Sequence, residues 1–330
     1  MRSTSSRWGR GRTGAALTAL AAAVALIAGC GGLSSSGPAA ESGNLAETVN
    51  LQGQSYTVGG KDFDEQLVLC QIAVAALESV GAEVTDRCNL GGTEANRNAL
   101  LAGDIDLYWD YTGTAWVTFL KQTPIQDSQR QYEAVKKRDL AENQIVWLEP
   151  TPFNNTYAFA VKEERAAELG LETLSDMAAY ISSGQPGNMC IETEYQNRDD
   201  GLQGLQRTYG FAVPPDRLKV LQTGAIYQAT ADQRECLFGE VFTTDGRIPQ
   251  LGLKVLRDDR QYHPLYNAAV TVRQQAYDRN PDIAKAFEPI AAALTDDVMA
   301  ELNRQKSSEG KPEREVARDW LAEEGFIGTQ

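Results

Sequence analysis

Four aromatic side chains crowd into one short segment, GDIDLYWDYTGTAW, at residues 103–116. They are Tyr108, Trp109, Tyr111 and Trp116, in a chain whose aromatic content is only 8%. Aromatic rings that gather in this way either fill a hydrophobic core or hold a ligand. The segment therefore predicts a packed core, one wall of a binding site, or a mixture of the two.

Catalytic and metal-binding patterns are weak in this sequence. His263 is the only histidine, and no GxSxG, HExxH or P-loop pattern occurs. Asp104, Asp106 and Asp110 resemble part of a calcium loop that lacks its central glycine and closing glutamate, so we expect them to cap turns or face solvent. The Gly-Gly-Thr turn at 91–93 could offer amides to an anion, but that signal is weak. We predict no catalytic residue, no metal and no cofactor.

The aromatic segment follows an alternation of strands and helices. Residues 55–60 predict a strand, 65–81 a helix, 82–90 a strand and 94–103 a helix, and IDLYW then predicts a third strand. Such an alternation predicts a parallel sheet with helices on its faces. Ligands bind at the carboxyl ends of strands in such sheets, which is where the aromatic segment lies.

A second alternation begins near Asn155, and from about Val270 to Gly325 the chain reads as mainly helical. We expect this helical tail to cover the first lobe. Two α/β lobes joined by two chain crossings leave a cleft at their junction, and such clefts are preferred ligand sites. His263 has no neighbouring partner in the sequence, so we interpret it as an ordinary loop or crossing residue.

The N-terminus carries the pattern of an exported lipoprotein. Four arginines precede the apolar run AALTALAAAVALIAG, which is shorter than the roughly 20 residues that a membrane-spanning helix needs. The sequence Ile-Ala-Gly-Cys that ends it looks like a lipobox. It predicts removal of residues 1–29 and lipidation of Cys30, with residues 30–52 as a flexible tether rich in Gly, Ser, Pro and Ala.

The net charge limits the kinds of partner, and the cysteines indicate disulfide bonds. Removal of residues 1–29, which hold four arginines and no acid, changes the net charge from −14 to −18, which argues against nucleic acid as a partner. Cys70, Cys88, Cys190 and Cys236 remain, and three pairings are possible. We favour Cys70–Cys88 and Cys190–Cys236, because each lies within one lobe and a cross-lobe bond would lock the cleft. The sequence alone does not decide between the pairings.

Five segments together resemble one family of proteins. They are GGKDFDEQ (59–66), NLGGTEANRNALLAGDIDLYWDYTGTAW (89–116), NNTYAFAV (154–161), VFTTDGRI (241–248) and KVLRDDRQYHPLYNAA (254–269). In this order they resemble the substrate-binding proteins of osmoprotectant ABC importers, which take glycine betaine, choline and proline betaine. The matches extend over nearly the whole chain that remains after the predicted cleavage.

The resemblance implies a fold, a location and partners. The fold would be the α/β two-lobed periplasmic-binding-protein fold of type II, with residues 53–153 and 264–330 as the first lobe and 154–263 as the second. The protein would be a monomer, anchored outside the cytoplasm to the membrane through its lipid. It would close on a small quaternary-ammonium ligand and deliver it to an ABC permease and its ATPase.

The resemblance also implies an aromatic cage. A quaternary ammonium has no N–H to donate, so it favours a desolvated pocket of ring faces, each of which contributes about 0.5 to 2 kcal/mol. The family motifs assign Tyr111 and Tyr266 to the first lobe and Tyr157 and Phe242 to the second, the last at a position that is often tyrosine. The cage would be complete only when the lobes close. Trp109, Tyr108 and Trp116 are assigned to packing.

A betaine carboxylate needs donors at the other end of the pocket. The resemblance assigns Lys61, Thr114 beside it, and Arg198 in the QNRDDG segment, where arginine can grip a carboxylate in two places. Asn155 matches a polar residue that orients the site. Arg198 is the weaker match, because its sequence context departs from the usual forms of the family.

Three other functions stay open at this stage. A site for choline or another amine is the nearest alternative, although Thr114 argues mildly against a site for choline alone. An exported enzyme on the same scaffold would need a nucleophile or base that the motifs do not provide. A binding protein that reports to a sensor rather than a permease would have the same sequence features.

Overall fold

The computed structural model describes residues 39–329. The predicted signal peptide, Cys30 and the first part of the tether lie outside the described residues. The sequence predicts that residues 30–52 form a flexible tether. In the structure, residues 39–52 instead pack against the body of the chain. Leu45, Val49 and Leu51 are buried, and the Leu51 amide donates to the Val80 carbonyl over 2.8 Å. These apolar side chains outweigh the small and polar residues around them.

The strands form two sheets of five. In chain order they are β1 Ser55–Gly59, β2 Glu83–Arg87, β3 Leu107–Tyr111, β4 Ile145–Trp147, β5 Tyr157–Lys162, β6 Met189–Ile191, β7 Leu218–Val220, β8 Phe238–Phe242, β9 Leu253–Leu256 and β10 Ala268–Arg273. The first sheet has the order β2-β1-β3-β10-β4, and the second has the order β7-β6-β8-β5-β9. Each sheet with the helices packed on it is called a lobe below.

Both sheets are mixed, not parallel as the sequence predicts. In the first sheet β1 pairs in parallel with β2 and β3, whereas β10 runs antiparallel to β3 and β4. In the second sheet β5 runs antiparallel to β8 and β9. The strands that break the pattern, β5 and β10, each follow a crossing between the lobes. They are therefore free of the strand–helix–strand connection that makes neighbouring strands parallel.

The two crossings lie side by side. The chain passes between the sheets at residues 148–156 and again at 257–267. Asn154 and Asn267 form an isolated antiparallel bridge, and the Asn155 amide donates to the Tyr266 carbonyl over 3.3 Å. A few residues in such paired connections are enough to act as a hinge between two lobes.

Helices cover both sheets. The α-helices are α1 Leu45–Thr48, α2 Asp64–Ser79, α3 Thr93–Ala102, α4 Ser128–Asn143, α5 Glu163–Leu169, α6 Leu174–Ser182, α7 Thr193–Asn197, α8 Leu202–Tyr209, α9 Thr223–Asp232, α10 Arg247–Gln250, α11 Gln274–Arg279, α12 Ile283–Ala293, α13 Asp296–Ser307 and α14 Glu313–Glu323. A π-helix spans Thr114–Phe119, and a 3₁₀ turn spans Pro215–Arg217. Within residues 39–329, no helix is long and apolar enough to cross a membrane.

Local sequence explains where several helices begin and end. Helix α3 ends at Gly103, whose φ of 85° lets its amide reach the carbonyls of Ala99 and Leu100. Thr173 and Asp176 form a capping box at the start of α6. The helical tail begins at Gln274, after β10, and not near Val270 as predicted. Its helices α13 and α14 pack against α2, so the tail covers the first lobe as expected.

Both disulfides that we favoured are present in the structure. Cys70 on α2 is joined to Cys88, just after β2, with a Cα–Cα distance of 5.9 Å. Cys190 on β6 is joined to Cys236, two residues before β8, with a Cα–Cα distance of 5.6 Å. Each bond links elements of one lobe, so neither restrains the lobes against each other. Among the described residues, Cys70, Asp86 and Cys88 have the spacing of a metal site, but their sulfurs are bonded to each other.

Candidate functional site

All eight residues that the sequence predicts for the site line one cavity between the lobes. The cavity is lined by Lys61, Tyr111, Thr114, Asn155, Tyr157, Arg198, Phe242 and Tyr266, together with Phe63, Thr93 and Glu194. The last three were not predicted. The structure therefore brings together side chains from both lobes and from the crossings between them.

Five aromatic rings line this cavity, and each contacts the next one around it. The ring of Phe63 stacks on Tyr111 with centroids 6.4 Å apart and on Phe242 with centroids 5.2 Å apart. Tyr157 then contacts Phe242 at 5.1 Å and Tyr266, edge to face, at 5.5 Å. Tyr111, Phe63 and Tyr266 come from the first lobe and its crossing, whereas Tyr157 and Phe242 come from the second. The aromatic cluster thus spans the junction of the lobes.

The strand ends place these rings. Tyr111 is the last residue of β3, Phe242 is the last of β8, and Tyr157 is the first of β5. Tyr157 and Phe242 are register partners on neighbouring antiparallel strands, so their side chains lie on the same face of the second sheet. Register pairs Tyr111 with Ala268, two residues after Tyr266. Strand pairing within each sheet thus brings together two of the four rings, Tyr157 with Phe242 in the second sheet and Tyr111 with the segment that holds Tyr266 in the first.

The glycine of the YTGT segment makes room for one ring. A Cβ added at Gly113 would lie 2.8 Å from Cδ1 of Tyr266 and 2.7 Å from the Leu265 carbonyl oxygen. A larger residue there would push the Tyr266 ring away from the cavity. This explains why the crowded aromatic segment contains a glycine between its threonines.

The other rings of the opening segment are structural, as predicted. Trp109 is buried and meets Phe287 edge to face, with centroids 6.1 Å apart. Tyr108 is buried and its hydroxyl donates to Asp110. Trp116 is only partly buried and donates from Nε1 to the Thr123 carbonyl over 2.7 Å. Only Tyr111 of the four lines the cavity.

The cavity is narrow where the rings meet and wide at its mouth. The part between the rings measures about 20 Å³, and it opens on a cleft of about 550 Å³. The space between the rings holds about one water molecule, so the rings or the lobes must separate before a larger ligand enters. The ring of Phe63 lines both spaces, and it was missed because its position in GGKDFDEQ carries no periodic signal.

Lys61 is held in an ion pair beneath the cage. Its Nζ donates to Oδ1 of Asp110 over 2.9 Å and lies 5.1 Å from the centroid of the Tyr111 ring. Asp110 is completely buried, so the expectation that it caps a turn or faces solvent is wrong. A carboxylate on a buried strand needs a cation and hydrogen-bond donors, and Lys61 and Tyr108 provide them.

Arg198 forms a bidentate ion pair with the neighbouring acid Asp200. Its Nε and Nη2 donate to the two carboxylate oxygens of Asp200, each over 2.7 Å, and Nη1 donates to Glu194 over 3.1 Å. Burial alone would raise the pKa of Asp200, but Arg198 beside it holds that pKa below its usual value. The guanidinium carbon lies 5.4 Å from the Tyr157 centroid and 6.0 Å from that of Tyr266. Arg198 therefore already contacts the cage rings.

Thr114 and Asn155 contribute polar groups to the cavity wall. Thr114 opens the π-helix and is buried beside the cage. Asn155, in the first crossing, donates from Nδ2 to Glu65 over 2.8 Å. Its Oδ1 is buried and has no hydrogen-bond partner among the described residues. Thr114 and Asn155 thus add uncharged polar side chains to the lining of the cavity.

Glu65 is the central acceptor behind the cage, and the sequence did not single it out. It is buried, and one of its oxygens accepts from the Tyr111 hydroxyl at 2.7 Å and from Asn155 at 2.8 Å. The other accepts from Thr244 at 2.6 Å and from Asn303 at 2.8 Å. Burial raises the pKa of Glu65, and these four hydrogen bonds, which favour the charged form, oppose the rise. Glu65 thus links both lobes and a crossing to a cage ring.

The mouth of the cleft is acidic. It is lined by Asp62, Glu94, Glu192, Glu194 and Asp199, with Lys121 and Arg198 as the cations. Burial raises the pKa of Glu192 to about 7, with the charges of Glu194 and Asp62 adding to the effect. A cleft lined mainly by one sign of charge concentrates ligands of the opposite sign. The approach to the cage therefore favours cations.

His263 has partners that the sequence did not suggest. It is buried, its Nε2 lies 2.9 Å from the Tyr195 hydroxyl, and its Nδ1 lies 3.2 Å from Asp258. Tyr195 in turn packs on the cage residue Tyr157, with centroids 5.0 Å apart. His263 does not line the cage cavity. It lies within hydrogen-bond distance of Tyr195, whose ring packs on Tyr157 from behind the cage.

Comparison with known proteins gives consistent results. Residues 54–323 match the family described as the substrate-binding domain of ABC-type glycine betaine transport systems. The chain is 36% identical over 282 residues to a glycine-betaine-binding protein of Pseudomonas aeruginosa, covering 84% of this chain and 90% of that one. The solved apo structure of YehZ from Escherichia coli has a TM-score of 0.62 at 31% identity, covering 82% of this chain and 99% of that one. A glycine betaine/carnitine/choline ABC transporter structure has a TM-score of 0.68 at 26% identity, with the same coverage. The two-lobed α/β fold is confirmed.

Proposed function

Because the chain belongs to the family of substrate-binding domains of ABC-type glycine betaine transport systems, we propose that it binds glycine betaine or a related quaternary-ammonium solute in the cage between its lobes. Proteins of this family lie outside the cytoplasm and deliver a small ligand to the permease of an ABC importer. The permease and its ATPase are accordingly the partners that we propose for this chain.

The observation that carries the proposal is the convergence of Tyr111, Tyr157, Phe242 and Tyr266 on one cavity. A trimethylammonium group is attracted to ring faces and does not donate hydrogen bonds, so a cavity walled by rings suits it better than water does. The acidic cleft that leads to the rings attracts the same charge. Rings from two lobes also explain how ligand binding and closure are coupled, because a ligand between them is gripped from both sides.

The polar end of the ligand is assigned to the cations and amides at the cavity wall. We propose that Lys61 and Arg198 attract a ligand carboxylate, with Thr114 donating a hydroxyl and Asn155 orienting the group. Both cations have acid partners in the structure, so a ligand carboxylate would have to share them with Asp110 and Asp200. This sharing limits how much a carboxylate gains.

A ligand without an acid group is the second candidate, and one observation favours it. Glu194 lines the cage cavity, and its carboxylate uses a donor of Arg198 that a betaine would need. Choline carries the same trimethylammonium group and ends in a hydroxyl. The paired cations and the acid in the cavity suit such a cation.

The remaining parts of the proposal concern location and chemistry. We propose that residues 1–29 are removed, that Cys30 carries a lipid anchor, and that the protein acts as a monomer. We also propose that it is not an enzyme. His263, which could serve as a base, is enclosed by Tyr195 and Asp258 behind the cage and does not line the cavity.

Calorimetric titration with a neutral ligand of the same shape tests the proposed function. Glycine betaine and choline are expected to bind with Kd values between micromolar and millimolar. The neutral isostere 3,3-dimethylbutan-1-ol, in which carbon replaces the ammonium nitrogen of choline, is expected to bind about 30-fold or more weakly, because cation–π attraction to several rings is lost. Equal binding of choline and its isostere, or failure of both ammonium ligands to bind, would refute the proposal.

A further inference from the structure

Glu194 joins the two lobes at the start of a helix. It lies on α7 of the second lobe, and its Oε2 accepts from the backbone amide of Thr93 at 3.2 Å. Its Oε1 accepts from the Thr93 hydroxyl at 2.5 Å and from Nη1 of Arg198 at 3.1 Å. Thr93 is the first residue of α3 in the first lobe, where the free amides and the helix dipole favour an anion. A carboxylate of the chain itself therefore occupies this anion position.

The neighbouring backbone is shaped around that carboxylate. A Cβ added at Gly92 would lie 2.9 Å from Oε2 of Glu194, so a larger residue would displace the acid. Burial raises the pKa of Glu194, but the charges of Lys61 and Arg198 and the hydrogen bonds from Thr93 bring it below its usual value. The carboxylate is ionised at neutral pH and stays bound to its donors.

The same donors would be needed by a ligand with an acid group. Arg198 and Thr93 both line the cage cavity, as does Glu194. A betaine that places its trimethylammonium group between the rings must put its carboxylate within a few ångströms of that group. It would then meet the negative charge of Glu194, and it would find Arg198 bound to Glu194 and Asp200. A cation that ends in a hydroxyl meets no such repulsion and gains attraction to the acid.

We propose that Glu194 determines which class of quaternary ammonium the cavity accepts, favouring cations without an acid group over zwitterions. The inference rests on the proposed function, because it concerns the same cavity. It goes further in naming one residue that sets the balance between the two ligand classes. A residue that merely held the lobes together would affect both classes alike, which separates the two roles by experiment.

The test compares Glu194→Gln and Glu194→Ala with the unaltered protein by calorimetric titration of glycine betaine and choline. Both variants are expected to raise the ratio of glycine betaine affinity to choline affinity by about tenfold or more, since removing the charge ends a repulsion and frees the donors of Arg198 and Thr93. Glu192→Gln is the matched control, with all titrations at about pH 8.5 so that Glu192, whose pKa is about 7, is ionised like Glu194. Glu192 lines the same cleft but forms no hydrogen bond or ion pair with Thr93 or Arg198 in the described part of the chain, so its replacement is expected to change the affinity ratio by less than about threefold.

An unchanged ratio in both Glu194 variants, or an equal loss of affinity for both ligands, would overturn the inference and leave the proposed function intact. The same shift in Glu192→Gln would also overturn it, since the effect would then come from the charge of the cleft in general. If neither ligand binds the unaltered protein, the proposed function itself fails and the inference fails with it. Glu194→Gln preserves the size of the side chain, so the comparison does not depend on the alanine variant folding normally.

Discussion

Replacement of both Tyr111 and Tyr157 by alanine is expected to abolish binding of glycine betaine and choline, with a loss of affinity of about 100-fold or more. Each variant removes one ring from one lobe, so the doubly altered cavity loses a face on each side of the ammonium group. The two rings supply about 1 to 4 kcal/mol of cation–π attraction, and their loss also admits water to the site. Calorimetric titration of the double variant measures the effect directly.

The matched control for this experiment is Tyr277→Ala. Tyr277 lies on α11, is partly buried in the first lobe and does not line the cavity. The control variant therefore removes a tyrosine side chain of the same size outside the binding site. Its variant is expected to bind both ligands within about threefold of the unaltered protein, even if its stability falls. Unchanged affinity in the double variant, or an equal loss in the control, would remove the aromatic cage from the account.

Replacement of Glu65 by alanine is expected to lower both the melting temperature and the affinity for every quaternary ammonium ligand. The variant leaves donors of Tyr111, Asn155, Thr244 and Asn303 without their acceptor in a buried place, and each such group costs about 1 to 3 kcal/mol when water cannot reach it. We expect a loss of affinity of about 30-fold, the same for glycine betaine and choline, because the bond from Thr244 connects the lobes behind the cage.

Glu65→Gln is a more conservative test of the same contact. The glutamine keeps the size of the side chain but places an NH₂ group on one side of it. Against Asn303, whose Nδ2 also donates to the Thr244 carbonyl, a turn of the amide from donor to acceptor would lose that bond. Against Asn155, whose Oδ1 has no partner among the described residues, the amide can turn without such a loss. We expect an intermediate loss of stability. Glu47→Ala, an exposed acid on α1, is the control and should leave both quantities unchanged. Normal melting and normal affinity in Glu65→Ala would show that the contact has no role in holding the site.

The resemblance to the family assigned the cage residues, because each lies in a short motif that the family shares. Tyr111 follows a strand pattern, Tyr157 opens one and Phe242 ends one, so reading the motifs placed each ring near a strand end. What brings the rings together is pairing between distant strands, which local patterns do not contain. The register of Tyr157 with Phe242 is an example, because 84 residues that include five α-helices lie between them in the chain.

The contacts that the sequence could not give are those between residues far apart in the chain. Glu65 accepts from Asn303, 238 positions away, and Glu194 accepts from Thr93, 101 positions away. Neither acid has a local pattern that distinguishes it from a solvated surface charge. Asp200 is different, since it lies two residues after Arg198 in QNRDDG, and its competition for the guanidinium could have been anticipated.

Strand β10 shows a second kind of limit. Its sequence AAVTVR is buried on almost every residue and stands next to a long helical tail, so its apolar run reads equally well as the start of a helix. In the structure it is an inner strand of the first sheet, between β3 and β4. A strand that returns from another lobe takes its place by pairing across the chain, and periodicity does not reveal such a partner.

The central claim is that a methylated cation lies between rings contributed by both lobes. A crystal structure of the protein grown with glycine betaine or choline tests it most directly. We expect the ammonium nitrogen to lie within about 6 Å of the ring centroids of Tyr111, Tyr157, Phe242 and Tyr266, with Phe63 moved from its place between Tyr111 and Phe242 or the lobes set farther apart. An ammonium bound at the acidic mouth of the cleft, with those four rings still packed on one another, would contradict the account.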